Sequence, residues 1–299
     1  MRIRVLGAAA GGGFPQWNCG CPHCDEVRRG SARTKARTQD SLAVSVDGEK
    51  WLLVNASPDV LAQICATPAL HPRAPRHSPI AAIVLTNGDL DHVLGLFSLR
   101  ESQPLVIFAT EAVQRGLVEK NALMRTLARF DGQVTWRALA IGEEVLALPG
   151  LAMTPITAAG KLPVHLTGIA ERSPEDNVGL VLRDVASGAR AAYVGAAGAV
   201  GDLPGHVAGV GALFFDGTFW SRDELVRMGL GHAHAEDMAH LPIGGESGSL
   251  AALARVDARR KIFTHVNNTN PILLDDSRER GEVERAGWEV AFDGMEIEL

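Results

Sequence analysis

The feature that most narrows the fold is the recurrence, along the whole chain, of short apolar, β-branched runs punctuated by glycine. They are Ile3 to Leu6, Leu42 to Val46, Trp51 to Val54, Ile80 to Leu85, Leu105 to Phe108, Val134 to Trp136, Leu151 to Ile156, Val178 to Leu182, Ala191 to Val194, Ala212 to Phe215 and Lys261 to Phe263. Runs of this length and composition read as buried strands. Amphipathic stretches lie between several of them. Ser57 as N-cap with Pro58 at the first helical position opens one helix, Glu111 to Phe130 covers one or two, and Gly248 to Arg255 and Ser277 to Ala286 add two more. The mixture predicts an α/β (α+β) protein. Residues 66–79 and 158–176, rich in Pro, Arg and Ser, read as surface loops, and no stretch repeats at a fixed period. With 299 residues, 46% of them apolar, the chain can bury a large core, which excludes disorder and disulfide-stapled miniature folds. One domain spanning residues 1–299 is the simplest account.

Charge and cysteine usage narrow the function. A net charge of -6 argues against nucleic acid as the main partner and favours a small-molecule or protein partner. No uncharged apolar run reaches the roughly 18 residues of a membrane span, and Met1-Arg2-Ile3-Arg4 runs into glycines without a signal-peptide core, so a soluble, cytoplasmic protein is expected, with no membrane partner. Cys19, Cys21 and Cys24 are too close together for a secreted disulfide framework. Three thiolates spaced C-x-C-x-x-C, turned inward through Gly20 and Pro22, can wrap one tetrahedral zinc in a reducing compartment. The alternative is three reduced thiols without a metal. Cys65, on the helix after Pro58, reads as a buried apolar residue.

The sharpest local feature is Thr86-Asn87-Gly88-Asp89-Leu90-Asp91-His92, which follows the apolar run Ala82 to Leu85. Four potential metal donors, Asn87, Asp89, Asp91 and His92, fall at a strand end, where one loop can serve two adjoining metal positions. Taken alone, the segment could also be an ordinary helix N-terminus with dipole-stabilised aspartates. Two further strand ends carry similar chemistry: Asp216 after Leu213-Phe214-Phe215, and His265 after Lys261-Ile262-Phe263-Thr264. Three strand ends delivering Asp and His are what loops converging on a metal require. His232, His234 and His240 crowd a nearby stretch. Gly11-Gly12-Gly13 lacks the Lys-Ser/Thr of a phosphate loop and reads as close backbone approach to the cysteine knot. Trp17 and Trp220 are candidates for a substrate pocket, although core packing is the commoner use of tryptophan.

Asp91-His92, then Asp216, then His265 follow the order of the metallo-β-lactamase superfamily, whose hallmark is Thr-His-x-His-x-Asp-His. Gly11-Gly-Gly-Phe-Pro-Gln-Trp-Asn-Cys-x-Cys-x-x-Cys24, Asp216-Gly-Thr-Phe-Trp220, His240-Leu-Pro-Ile243, His265-Val-Asn-Asn-Thr-Asn-Pro-Ile-Leu273 and Asp293-Gly-Met-Glu-Ile297 resemble, over essentially the full length, the PqqB family of pyrroloquinoline quinone (PQQ) synthesis proteins. The resemblance implies an αββα four-layer sandwich and a place in PQQ biosynthesis, as an iron-dependent oxygenase acting on a tyrosine-derived precursor or as a carrier of PQQ. Against the hallmark, the first two histidines are Asn87 and Asp89. Loss of both imidazoles leaves oxygen donors at the first metal position, which should be weak or empty, and this weighs against a third reading, a residual metal hydrolase.

The second position keeps Asp91, His92 and His265, with Asp216 where the family's bridging Asp lies. Two imidazoles and a carboxylate are the donor set of non-haem Fe(II) oxygenases, with zinc or manganese as alternatives. On this reading Fe2+ binds dioxygen beside a small-molecule substrate, a PQQ precursor containing a peptide-derived Glu-Tyr unit. His240 is the expected acid/base, Asp89 orders the loop or assists catalysis, and Asn267 joins Trp17 and Trp220 at the substrate. In related phosphodiesterases of the superfamily a histidine three residues beyond the last active-site His completes the cysteine zinc site. Here that residue is Asn268, so the fourth ligand is Asn268, His23 or water. A homodimer is compatible with the chain.

Overall fold

In the computed structural model, which describes residues 1–101 and 103–299, the eleven apolar runs are joined by three strands not expected from the sequence, Val145–Leu148, Trp288–Val290 and Glu296–Glu298, in two seven-stranded sheets packed face to face. In chain order the strands are β1 (Arg2–Gly7), β2 (Ser41–Ser45), β3 (Trp51–Val54), β4 (Ile80–Val84), β5 (Leu105–Thr110), β6 (Val134–Leu139), β7 (Val145–Leu148), β8 (Leu151–Thr157), β9 (Val178–Asp184), β10 (Arg190–Val194), β11 (Val210–Asp216), β12 (Ala258–Thr264), β13 (Trp288–Val290) and β14 (Glu296–Glu298). The first sheet runs β14-β1-β2-β3-β4-β5-β6 and the second β13-β12-β11-β10-β9-β8-β7. In each sheet one part is antiparallel and the rest parallel: β3 to β6 in the first, β10 to β13 in the second.

Strand periodicity sorts the apolar side chains into three layers. Val44, Leu52, Val54, Ala82 and Val84 of the first sheet meet Leu180, Leu182, Tyr193, Phe214 and Ile262 of the second. Their neighbours Leu53, Ile83 and Ile107 point the other way, under the helices of the first sheet with Leu96, Val113 and Leu117. Leu213, Phe215 and Phe263 do the same under the other helical layer, where Phe263 stacks on Trp288 at 4.2 Å between ring centroids. Strands covered on both faces must be apolar throughout, and this is why β4 and β11 read as near-continuous runs in the sequence. The result is the αββα arrangement.

Several expectations shift. The helix after Ser57-Pro58 covers Val60–Cys65 with Asp59 at its cap, while Ser57 Oγ turns to Gln63 Oε1 at 3.1 Å. Cys65 lies on the exposed side of that helix, which buries Val60 and Gln63 instead, so its expected burial is not found. The stretch from Glu111 divides into an α-helix, Glu111–Val118, capped by Thr110, and a 3₁₀ segment, Ala122–Ala128. The helix expected over 248–255 is a single turn, Ser249–Ala252, and the last helix, Arg278–Arg285, is capped by Ser277 as its sequence predicts. The loop 158–176 contains only the short turns Val164–Leu166 and Pro174–Asp176. No helix among the described residues is long and apolar enough to cross a membrane.

Candidate metal centre

β4 ends at Val84, and the chain is then pinned before it can fold back. Asn55, in the left-handed region at φ 64°, accepts from Thr86 N and Oγ1 at 3.0 and 3.1 Å through its side-chain oxygen. Asn87 Oδ1 accepts from Asp89 N at 3.0 Å, and Asn87 Nδ2 donates to Asn177 Oδ1 at 3.1 Å. Both ends of the Asn87 amide are therefore used in building the loop. Asp89 then caps the helical turn Leu90–Val93, which carries Asp91 and His92.

From the second sheet, the parallel register of β11 and β12 sets Asp216 beside Thr264, so that the next residue, His265, enters the same space. His265 takes a left-handed backbone, φ 55°, a conformation that costs on the order of 1 kcal/mol in a non-glycine residue and clusters at functional sites. Its Nε2 lies 3.1 Å from Asp91 Oδ2, and His92 Nε2 lies 3.8 Å from the same oxygen. His265 Nδ1 contacts Thr218 Oγ1 at 2.9 Å. Asp216 is saturated: Oδ1 accepts from Thr218 N and Oγ1, Oδ2 from Ala197 N at 2.8 Å and from His240 Nδ1 at 2.7 Å. His240 stacks on His265 with ring centroids 5.5 Å apart.

Two overlapping donor sets result, Asp91 with His92 and His265, and Asp216 with His240 and His265, each with its atoms within 4.8 Å of one another. His92 is 1% exposed, and neither ring nitrogen has a hydrogen-bond partner among the described residues. A buried imidazole with both nitrogens unsatisfied is costly unless a ligand completes it. Electrostatics point the same way. Burial resists ionisation of Asp91, but His92 and His265 outweigh it and hold the carboxyl below the usual carboxylate range. Burial likewise resists charge on His265, but Asp91, Asp40 and Asp216 push it up to about 9. A positive charge is stabilised where Asp91, His92 and His265 meet, so the residues present fit a divalent cation.

The donors open into a cavity of about 430 Å³, which Asn87, Asp89, His240 and Asn267 also line. Trp17 and Trp220 are not among its walls. Trp17 is 86% exposed, and the Trp220 indole packs over Gly244 in the layer outside the second sheet. The aromatic wall is Phe219 instead. His232 and His234 do not line the cavity. Gly11 lies against Asp91, where an added Cβ would come within 3.3 Å of Oδ2, so the close approach expected at the cysteine knot occurs at this centre. Sequence reasoning missed Thr218, whose hydroxyl ties Asp216 to both histidines, and Lys161 and His165 of the 158–176 loop. Only the Asp216-Gly-Thr order gave a signal for the first, and nothing did for the other two.

Cys19, Cys21 and Cys24 are buried with their sulfurs within 4.8 Å of one another. Asn268 faces all three, its Nδ2 at 3.3, 3.7 and 3.4 Å from Cys19, Cys21 and Cys24 Sγ. His23 turns its Nδ1 to the Asn268 carbonyl at 3.3 Å. Of the candidate fourth ligands, Asn268 is the side chain that faces the sulfurs, but it presents its NH2 donor to them and not the oxygen expected to ligate. Burial pushes the Cys21 thiol up to about 12, so any metal here must displace a firmly held proton. Three convergent sulfurs fit three corners of a tetrahedral structural zinc.

Residues 50–266 match the beta-lactamase superfamily domain. The chain is 49% identical to coenzyme PQQ synthesis protein B of Methylobacterium sp. (strain 4-46) over 304 residues, covering 100% of both. It is 48% identical to the protein of the same name from Methylobacterium nodulans over 302 residues, again covering 100% of both. Among solved structures, Zn(2+)-bound PqqB from Methylobacterium extorquens superposes with a TM-score of 0.94 at 44% identity, covering 100% of each chain. A diphosphatase from the PhnP family, 22% identical and covering 100% of this chain and 97% of its own, shares the fold with a TM-score of 0.70.

Proposed function

The chain belongs to the coenzyme PQQ synthesis protein B family of the beta-lactamase superfamily, and on that premise we propose that it acts in PQQ biosynthesis as an iron-dependent oxygenase that hydroxylates the tyrosine-derived ring of a precursor. The observation that carries this reading is the asymmetry of the donor loop. Asn87 spends its amide on Asp89 N and Asn177, whereas His92 keeps both ring nitrogens free beside Asp91 and His265. A hydrolase needs its first-position ligands to clamp the scissile group. His92, His265 and Asp91 would instead hold Fe(II), which, when bound, would supply dioxygen activation.

The remaining residues position substrate and move protons. Asp216 Oδ2 accepts from His240 Nδ1, which fixes that tautomer and leaves Nε2 as the nitrogen able to take a phenolic proton. Thr218 donates to Asp216 and thereby holds the pair against His265. Asp89 and Asn267, both on the cavity wall, offer an acceptor and an amide to the polar groups of an amino-acid-derived substrate.

The test is incubation of Fe(II)-loaded protein, a reductant and a Glu-Tyr precursor analogue under labelled dioxygen. Added mass carrying the label is expected. Label from water alone would point to hydrolytic chemistry, and tight PQQ binding without turnover at any metal would favour a carrier.

A further inference from the structure

The loop after β8 contributes a wall of the cavity that the metal chemistry does not use. Lys161 and His165 both line the cavity from this loop. The segment is held from both sides. Leu166 is buried against Gly116, where an added Cβ would meet its Cδ1 at 2.6 Å. Pro163 sits over Gly88 of the donor loop, its Cγ 3.2 Å from where a Cβ would stand. Gly160 crosses Asn177 so closely that a Cβ would lie 2.3 Å from that side chain, and Ala159 O accepts from Gly198 N at 2.7 Å. Lys161 and His165 are thus presented from a fixed stretch of chain rather than from a loose tip.

Neither group is internally satisfied. His165 Nε2 is buried without a hydrogen-bond partner, and none of the ion pairs among the described residues involves Lys161. A cation and an imidazole, half-withdrawn from water and in no ion pair among the described residues, have the composition of an anion site. Asp89 and Asp91 line the same cavity without an ion pair to Lys161, which leaves its charge available to an anionic ligand.

Resting on the functional reading above, we propose that Lys161 and His165 form a carboxylate-binding subsite, and that the substrate is a phenolic amino-acid derivative docked by a carboxylate on this wall with its ring toward Asp91, His92 and His265. The subsite sets orientation and specificity; it takes no part in the chemistry.

Zn(II)-loaded protein allows the subsite to be probed without turnover. The probes are PQQ, a tricarboxylate, and its trimethyl ester, with binding followed by absorbance. Lys161→Met is expected to weaken PQQ binding about tenfold and His165→Gln several-fold, because a charge-assisted hydrogen bond is lost. Neither variant should change ester binding, which should already be weak in the wild type, or the melting temperature. Lys161→Arg should restore most of the affinity for PQQ. Wild-type affinity in Lys161→Met, ester bound as tightly as PQQ, or no PQQ binding by the wild type would each overturn the subsite. Carboxylate- and Lys161-dependent binding without labelled-oxygen incorporation would leave the subsite standing and remove only the oxygenase.

Discussion

At the scale of single residues, the site separates donors from the groups that hold them. His92→Ala or His265→Ala should abolish binding of the active-site metal while the cysteine site keeps its zinc, because the two sites use chemically different donors. Metal analysis of the purified variants checks this. His240→Ala, in contrast, should retain metal and lose turnover, because its Nδ1 is committed to Asp216. A second prediction concerns Glu224, whose Oε1 contacts Thr269 Oγ1 and whose Oε2 accepts from Trp220 N at 2.7 Å. Burial pushes this carboxyl up to about 7. The folded state then holds a proton that the unfolded chain releases, so this stabilisation is present below pH 4.5 and is lost as pH rises through about 7. The contribution is up to about 3 kcal/mol, and Glu224→Gln should flatten the dependence of the melting temperature on pH over that window. Asp91, His92, Asp216 and His265 were legible because each follows an apolar run at a strand end. Lys161 and His165 were not, because a lysine and a histidine in a polar loop carry no spacing that sets them apart.

At the scale of elements, most of the strands were legible as apolar runs. Eleven strands announced themselves in this way; β7, Val145–Leu148, was missed despite four consecutive apolar residues, and β13 and β14, three residues each, depend on the partner strand for their definition. Trp288-Glu289-Val290 is a strand because Lys261 to Phe263 pairs with it, which no local pattern encodes. The segment Cys19–Cys24 is the clearest case of an element defined by chemistry instead. Its helix, Pro22–Arg28, has seven residues and no side-chain cap, too little to persist alone. Cys21→Ser should therefore release the zinc and lower stability by several kcal/mol, measured by denaturant titration with the metal content of each sample. Retained zinc with an unchanged midpoint would count against the cysteine site.

At the scale of the whole molecule, the sandwich closes on itself through β14, which adds to the edge of β1 so that Met1 N donates to Leu299 O at 2.7 Å and Leu299 N to Met1 O at 2.9 Å. Deleting residues 296–299 should expose the β1 edge, lower the melting temperature and promote association, detectable by light scattering. The face-to-face pairing of the sheets was not readable from the chain, since alternation shows which residues are buried but not against what. One stretch of backbone now ties the two metal centres together: His265 and Asn268 stand three residues apart, one facing Asp91 and the other the three sulfurs. This proximity predicts that the state of one site is felt at the other. Loss of a zinc from the cysteines would loosen the stretch that runs from Asn268 back to the left-handed His265, so the Asp91, His92 and His265 set should take up divalent metal less well in protein refolded without zinc.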